Sequence, residues 1–137
     1  MTRKLLLVAL VTSVVALTPM EAARGGPMMT ELGSLGGSFG IARAINDDGQ
    51  VVGISTNASG EQLAFLWDDG EMVDLGLPGT ASDARAINRA GQVAGIYTPA
   101  GANRAFLWTE GTWIDLGTLG GDLSIAYGLN DKGRVVG

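Results

Sequence analysis

Beyond residue 40 the chain is patterned in short apolar runs, not in long amphipathic stretches. In Val51-Val52-Gly53-Ile54 and Ala64-Phe65-Leu66-Trp67 successive positions are apolar. Neighbouring side chains of a strand point to opposite faces, so both faces of these strands call for burial. Turn residues separate the runs. Asn46-Asp47-Asp48-Gly49 has Asn where a side chain can bond the backbone and Gly where a positive φ is tolerated. It predicts a hairpin turn between strands at residues 41–45 and 50–55, and the β-branched Val51, Val52 and Ile54 suit the second strand. A loop at Asn57-Ala58-Ser59-Gly60 then leads to a strand at residues 64–67, and Asp68-Asp69-Gly70 turns the chain into a strand at residues 71–75.

The same order of segments recurs. Leu32-Gly33-Ser34-Leu35-Gly36-Gly37 aligns with Leu75-Gly76-Leu77-Pro78-Gly79 and with Leu116-Gly117-Thr118-Leu119-Gly120-Gly121. Each is followed by an Asn-centred hairpin at Asn46, Asn88 and Asn130, spaced 42 residues apart, while Trp67 and Trp108 of the two A-F-L-W segments are 41 apart. One unit therefore holds four short strands in about 42 residues, the spacing of β-propeller blades. The expected fold is all-β, with propeller-like units at residues 32–74 and 75–115 and a truncated one at 116–137. A β-solenoid is the alternative that also buries both faces. The third unit lacks its A-F-L-W strand, and a propeller closes with about four to eight blades. The expectation is that this is the N-terminal part of a longer protein; the other outcome is a short chain that oligomerises to cover its open faces.

These blocks resemble the HAF-repeat family of extracellular repeat proteins, whose units read roughly D-L-G-x-L-G-G, then A-x-x-I-N-x-x-G-x-V-V-G, then H-A-F-L-W. The resemblance covers residues 32–137, with Asp115-Leu116-Gly117-Thr118-Leu119-Gly120-Gly121 and Ala64-Phe65-Leu66-Trp67 as close matches. The family's His before Ala-Phe is Leu63 in one unit and Arg104 in the other, so any role for that imidazole is absent. The resemblance implies export and a β-rich repeat architecture, and it carries over no catalytic residue.

The N-terminus adds a destination. Arg3 and Lys4 precede thirteen residues from Leu5 to Leu17 that are mostly apolar, and Pro19 and Glu21 end the run. That is the layout of a secretory signal peptide and too short for a membrane span. Cleavage is expected near Gly25, which makes residues 1–25 the signal and 26–137 the exported part. The full chain has nine basic and fourteen acidic residues, net charge −5. Removal of Arg3, Lys4, Arg24 and Glu21 leaves six basic against thirteen acidic, net −7. With that sign and no run of Lys or Arg, nucleic acid is excluded as an expected partner.

Among 137 residues there is neither cysteine nor histidine. Disulfides, Cys/His zinc sites, His-dependent triads and His-ligated iron are therefore excluded within this chain. Stability must come from packing, and any catalysis from Asp, Glu, Lys, Tyr or Ser.

Several constellations invite chemistry and have simpler explanations. Gly33-x-x-Gly36-Gly37-x-x-Gly40 lacks the Lys-Ser/Thr of a phosphate loop and recurs at Gly76 and Gly117, so it is expected to be an inter-strand turn. The acidic turns at Asp47-Asp48, Asp68-Asp69 and Asp131 raise calcium, but the middle unit has Arg89-Ala90 there. Asp74 and Asp115 could form a carboxylate pair, yet they hold equivalent unit positions and are expected to be turn residues. Trp67 and Trp108 are expected in the core, with Trp113 more exposed. Asn57-Ala58-Ser59 is a glycosylation sequon.

The expected function is that of an exported, non-enzymatic repeat protein, secreted or held at the cell exterior or in the periplasm. It would act as a binding or structural scaffold through loops at residues 56–62 and 98–103. No catalytic, cofactor-binding or metal-binding residue is assigned. Expected partners are further units of a longer chain or copies of itself, with an extracellular protein or glycan as ligand, and no stable membrane span remains after signal cleavage. The alternative is a secreted carboxylate-dependent hydrolase or lyase on a propeller, whose mark is an isolated inward-pointing acid. Asp83 comes nearest, standing where Ile41 and Ile125 stand in the other units.

Overall fold

The computed structural model describes residues 29–137; the expected export signal at residues 1–25 lies outside the described residues. The protein is all-β, built of open antiparallel sheets. β1 (Gly36–Ile45), β2 (Val51–Asn57), β3 (Gln62–Asp68) and β4 (Glu71–Asp74) form a four-stranded sheet in sequence order. β5 (Ser82–Ile87), β6 (Val93–Tyr97), β7 (Arg104–Thr109) and β8 (Thr112–Asp115) form a second with the same order. β9 (Gly128–Leu129) and β10 (Val135–Val136) make a two-stranded pair. Among the described residues no helix is long and apolar enough to cross a membrane.

The turns follow from their residues. Asn46 Oδ1 accepts the backbone N–H groups of Asp48 at 3.1 Å and Gln50 at 3.0 Å, and Gly49, at φ +82°, donates to the Asn46 carbonyl. The Asn130 hairpin repeats all three bonds, through Lys132, Arg134 and Gly133, and Asn88 makes the two from Gln92 and Gly91. Asn57 builds the β2–β3 connection by the same device. The β3–β4 turn instead places Asp69 and Gly70 at φ +45° and +93°, and Glu110 and Gly111 do the same before β8. Two consecutive positive φ values define the tight hairpin whose twist matches that of its strands.

The segment expected as a turn at Gly33–Gly40 is partly strand. β1 begins at Gly36 and reaches Ile45, with its register to β2 interrupted between Gly36 and Gly40. A side chain at Gly37 would run into Thr56 and Asn57, so the glycines allow the strand to hug its neighbour where a turn was expected.

The sheets pack face to face. Val52 and Ala64 of the first sheet share a core with Ala84, Ile87 and Val93 of the second, completed by Leu75, Leu77, Tyr97 and Phe106. One unit further, Ala94 and Ala105 of the second sheet meet Ala126, with Leu107, Leu129 and Val135 packed against them. β5, which has β1, β2 and β3 on one side and β9 on the other, is buried along nearly its whole length. β1 has a neighbouring sheet on one side only and is mostly exposed. Ile45 is consequently 67% exposed and its counterpart Ile87 9%.

Candidate functional site

Among the described residues the buried acid is Asp83 on β5, with only 7% of its side chain exposed. Arg43 on β1 donates from Nε to Oδ1 at 3.2 Å and from Nη2 to Oδ2 at 3.1 Å, and Arg85 Nε stands 3.3 Å from Oδ2. The Arg85 guanidinium in turn lies 5.0 Å from the centre of the Tyr127 ring, within cation–π range. A β-bulge sets this up. The β1–β2 register slips between Ala42 and Ala44, and the β5–β6 register slips at the same place, between Ala84 and Ala86. The unpaired residues are Arg43 and Arg85, and bulges re-aim side chains in this way. Both carboxylate oxygens of Asp83 are thereby engaged, and the isolated acid of the sequence becomes a tie between two sheets.

A second arrangement runs across the hairpin turns. Asn46 Nδ2 donates to the Asn88 carbonyl at 3.1 Å, and Asn88 Nδ2 donates to the Asn130 carbonyl at 3.0 Å. Outside this ladder Arg89 bonds Asp47 through its guanidinium at 2.6 Å and Asp131 through its backbone N–H at 2.9 Å. Gln50 Nε2 donates to Asp68 at 2.9 Å. Of the acidic turns that raised calcium, Asp47 and Asp131 thus share Arg89, and Asp68 accepts from Gln50. Among the described residues no group of three or more acidic side chains is placed to hold a metal ion.

A third cluster belongs to the second sheet alone. The Tyr97 hydroxyl donates to Asp115 Oδ2 at 2.8 Å, Arg104 Nη2 stands 3.1 Å from the same oxygen, and Oδ1 accepts the Gly117 N–H at 2.6 Å. Trp113 and Phe106 flank the Tyr97 ring, with centroids 5.1 and 6.5 Å away. Among the described residues Asp74, the counterpart of Asp115, makes only the turn bond, accepting the Gly76 N–H at 2.9 Å. The two carboxylates are thus turn residues, one of them recruited into a wider network.

That network couples folding to pH. The Gly117 N–H, and then the Tyr97 hydroxyl and Arg104, hold the Asp115 carboxyl below its ordinary 3.8, against the upward push of burial. Burial, and then the hydrogen bond to Asp115, hold the Tyr97 phenol above its ordinary 10.0. A lowered carboxyl stabilises the fold above its unfolded pKa, and that contribution disappears as pH falls through the folded value. A raised phenol stabilises below its unfolded pKa, and loses the contribution as pH rises through the folded one. The stability gap between wild type and Asp115→Asn should therefore be full at neutral pH and shrink below about pH 4. Urea midpoints measured down to about pH 2 check it; a gap independent of pH would contradict it.

The fourth feature is an apolar groove of about 750 Å³ lined by Ala105, Leu107, Leu116, Ala126, Val135 and Gly137, among others. Leu116 lies in it 39% exposed, whereas Leu75, at the same unit position, is 5% exposed. Each makes the same backbone bond to the strand before it, Leu75 to Ala64 at 3.0 Å and Leu116 to Ala105 at 2.9 Å.

Trp67 and Trp108, expected in the core, are half-buried, and the fully enclosed aromatics are Phe65 and Phe106. Trp113 pairs across strands with Trp108 and is half-buried like it. Asn57 of the sequon donates to Glu61 Oε2 at 2.6 Å while its own oxygen holds the turn. No family model matches the chain, and neither a curated protein nor a solved structure matches it.

Proposed function

We propose that this chain is an exported, non-enzymatic scaffold of HAF-repeat type, its sheets stacked as propeller-like blades and its ligand contacts made by the loops between strands. The observation that carries this reading is that one sheet-to-sheet interface is built twice from equivalent positions. Val52, Ala64, Ala84 and Val93 of the first interface correspond to Ala94, Ala105, Ala126 and Val135 of the second, and the Asn46 and Asn88 amides bridge neighbouring turns in the same way. Antiparallel pairing of consecutive strands favours blades over the coils of a solenoid. The engagement of Asp83 by Arg43 and Arg85 favours a holding role over acid/base chemistry.

A scaffold keeps its core while its loops vary. The test is expression of the full chain, with a Gly/Ser insertion of about ten residues between Ala100 and Gly101, in a host with a general secretory pathway. The expected product is exported, begins near residue 26 by mass, and unfolds within about 1 kcal/mol of the chain without the insertion. A product that keeps its first 25 residues, or one that unfolds on insertion, would overturn the reading.

A further inference from the structure

Asp83 holds two guanidiniums where one would balance its charge. Among the described residues the other ion pairs set one cation on one acid, Arg89 on Asp47 and Arg104 on Asp115. Arg43 and Arg85 instead both close on Asp83 Oδ2, at 3.1 and 3.3 Å. The cluster thus carries one surplus positive charge, in a chain of nine basic and fourteen acidic residues. Stacking does not require it. The second sheet-to-sheet interface is assembled from equivalent positions with Ile125 in the place of Asp83 and Tyr127 in the place of Arg85, and apolar groups commonly serve a buried contact as well as ions do.

The donors of the two arginines are unevenly used. Arg43 engages Asp83 through both Nε and Nη2. Arg85 turns its Nε toward the same carboxylate, but that group lacks hydrogen-bond geometry and is closed to solvent. Among the described residues the Arg85 guanidinium therefore makes no hydrogen bond, and of its three nitrogens only Nε is sealed in. Its Nη groups reach the surface with their hydrogens unspent. The side chain is only 25% exposed and stands on β5, which has strands packed on both sides, so its placing does not depend on an open edge. Asp83 on one side and the Tyr127 ring on the other, 5.0 Å from the guanidinium carbon, hold it still.

We infer that the Arg85 guanidinium, with Arg43 adding its charge, is a binding site for a singly charged carboxylate, that of a sugar acid or a small organic acid. The two Nη groups donate to the two carboxylate oxygens, a planar fork meeting a planar acceptor. One negative charge cancels the surplus, whereas a doubly charged phosphate would overcompensate it beside Asp83. A donor recessed between packed strands admits a small molecule more readily than the surface of a folded partner. Asp83 is the positioning residue, fixing both guanidiniums before the ligand arrives. The site goes beyond the proposed scaffold, whose contacts lie in its loops.

The test is titration of the full chain at neutral pH with glucuronate, acetate, the uncharged methyl ester of glucuronate, and inorganic phosphate, followed by NMR of the backbone amides and of the arginine Nε–H groups. Glucuronate should give saturable shifts at the Arg85 Nε–H and at the amides of residues 43 and 83–86. The ester should bind about tenfold or more weakly, as expected when a charge-assisted hydrogen bond is lost. Saturation by glucuronate alone assigns the site to sugar acids, and saturation by acetate as well assigns it to the carboxylate itself. Arg85→Gln should weaken glucuronate about tenfold or more, with Arg85→Lys, which keeps the charge without the fork, falling between. The ester comparison uses the unaltered chain and so stands whether or not a variant folds. No saturable shift, an ester as tight as the acid, phosphate tighter than either carboxylate, or unchanged affinity in a folded Arg85→Gln chain would overturn the inference.

Discussion

Phe106→Ala is expected to remove about 3–5 kcal/mol of folding stability, the range for emptying a fully buried aromatic site. Phe106 is completely enclosed and stands in the core that joins the two complete sheets, beside Val52, Ala64, Leu75 and Tyr97. The cavity would open at an interface, so both sheets lose contacts at once. For a domain of this size such a loss is a large part of the total stability, and the variant should melt far below wild type or be unfolded at ambient temperature. Leu75 and Leu116 provide a matched control. Leu75→Ala should cost about 2–5 kcal/mol, whereas the exposed Leu116 should tolerate Ala with a loss of about 1 kcal/mol or less. Urea unfolding of the three variants measures this, and equal losses at Leu75 and Leu116 would contradict the difference in cover.

The second large effect lies in the backbone. Gly95→Ala would drive a methyl group into the Asp83 carbonyl and to 3.0 Å from the Ala84 Cα. Neither neighbour is a side chain that can swing away. β5 and β6 would have to part where Asp83 faces Ile96 and Ala84 faces Gly95, drawing Asp83 from Arg43. The expected loss is about 3 kcal/mol, at the upper end for overpacking. Gly121→Ala is the control, because nothing lies within 4 Å of its Cβ position and the change should be within about 0.5 kcal/mol of neutral. Thermal unfolding of both variants separates a steric effect from a general cost of losing glycine; comparable losses would remove the steric account.

Much of the strand order can be read from the residues, because its signals are local. Asn46, Asn88 and Asn130 each announce a hairpin, the Gly three residues on closes it, and the β-branched Val51, Val52 and Val93 continue as strands. What is hidden depends on contacts between segments. Nothing in the run Ile41-Ala42-Arg43-Ala44 shows that the pairing slips there, so the aim of Arg43 at Asp83 is invisible until the bulge is seen. The choice of Phe over Trp as the deepest aromatic follows from cross-strand partners: Phe65 and Phe106 face glycines, while Trp67 and Trp108 face Val51 and Val93. The Tyr97 cluster did leave a trace. Tyr97 stands where the first unit has Ser55, and Arg104 where it has Leu63. Two departures in one unit, on the two strands that precede a shared Asp, are the pattern a polar network leaves. The strand character of Gly36–Gly40 was masked by its glycines, which serve there for close approach of β1 to β2.

Stacking of the two complete sheets into one cooperative body is the central claim, and native-state amide hydrogen exchange tests it most directly. The core shared by Val52, Ala64, Ala84, Ile87, Val93 and Phe106 predicts that the slowest amides of β2, β3, β5, β6 and β7 exchange with one common free energy, equal to that of global unfolding, with β1 and β10 exchanging faster at their uncovered edges. If β2 and β3 opened with a free energy distinct from that of β6 and β7, the sheets would be independent and the account of a stacked scaffold would be contradicted.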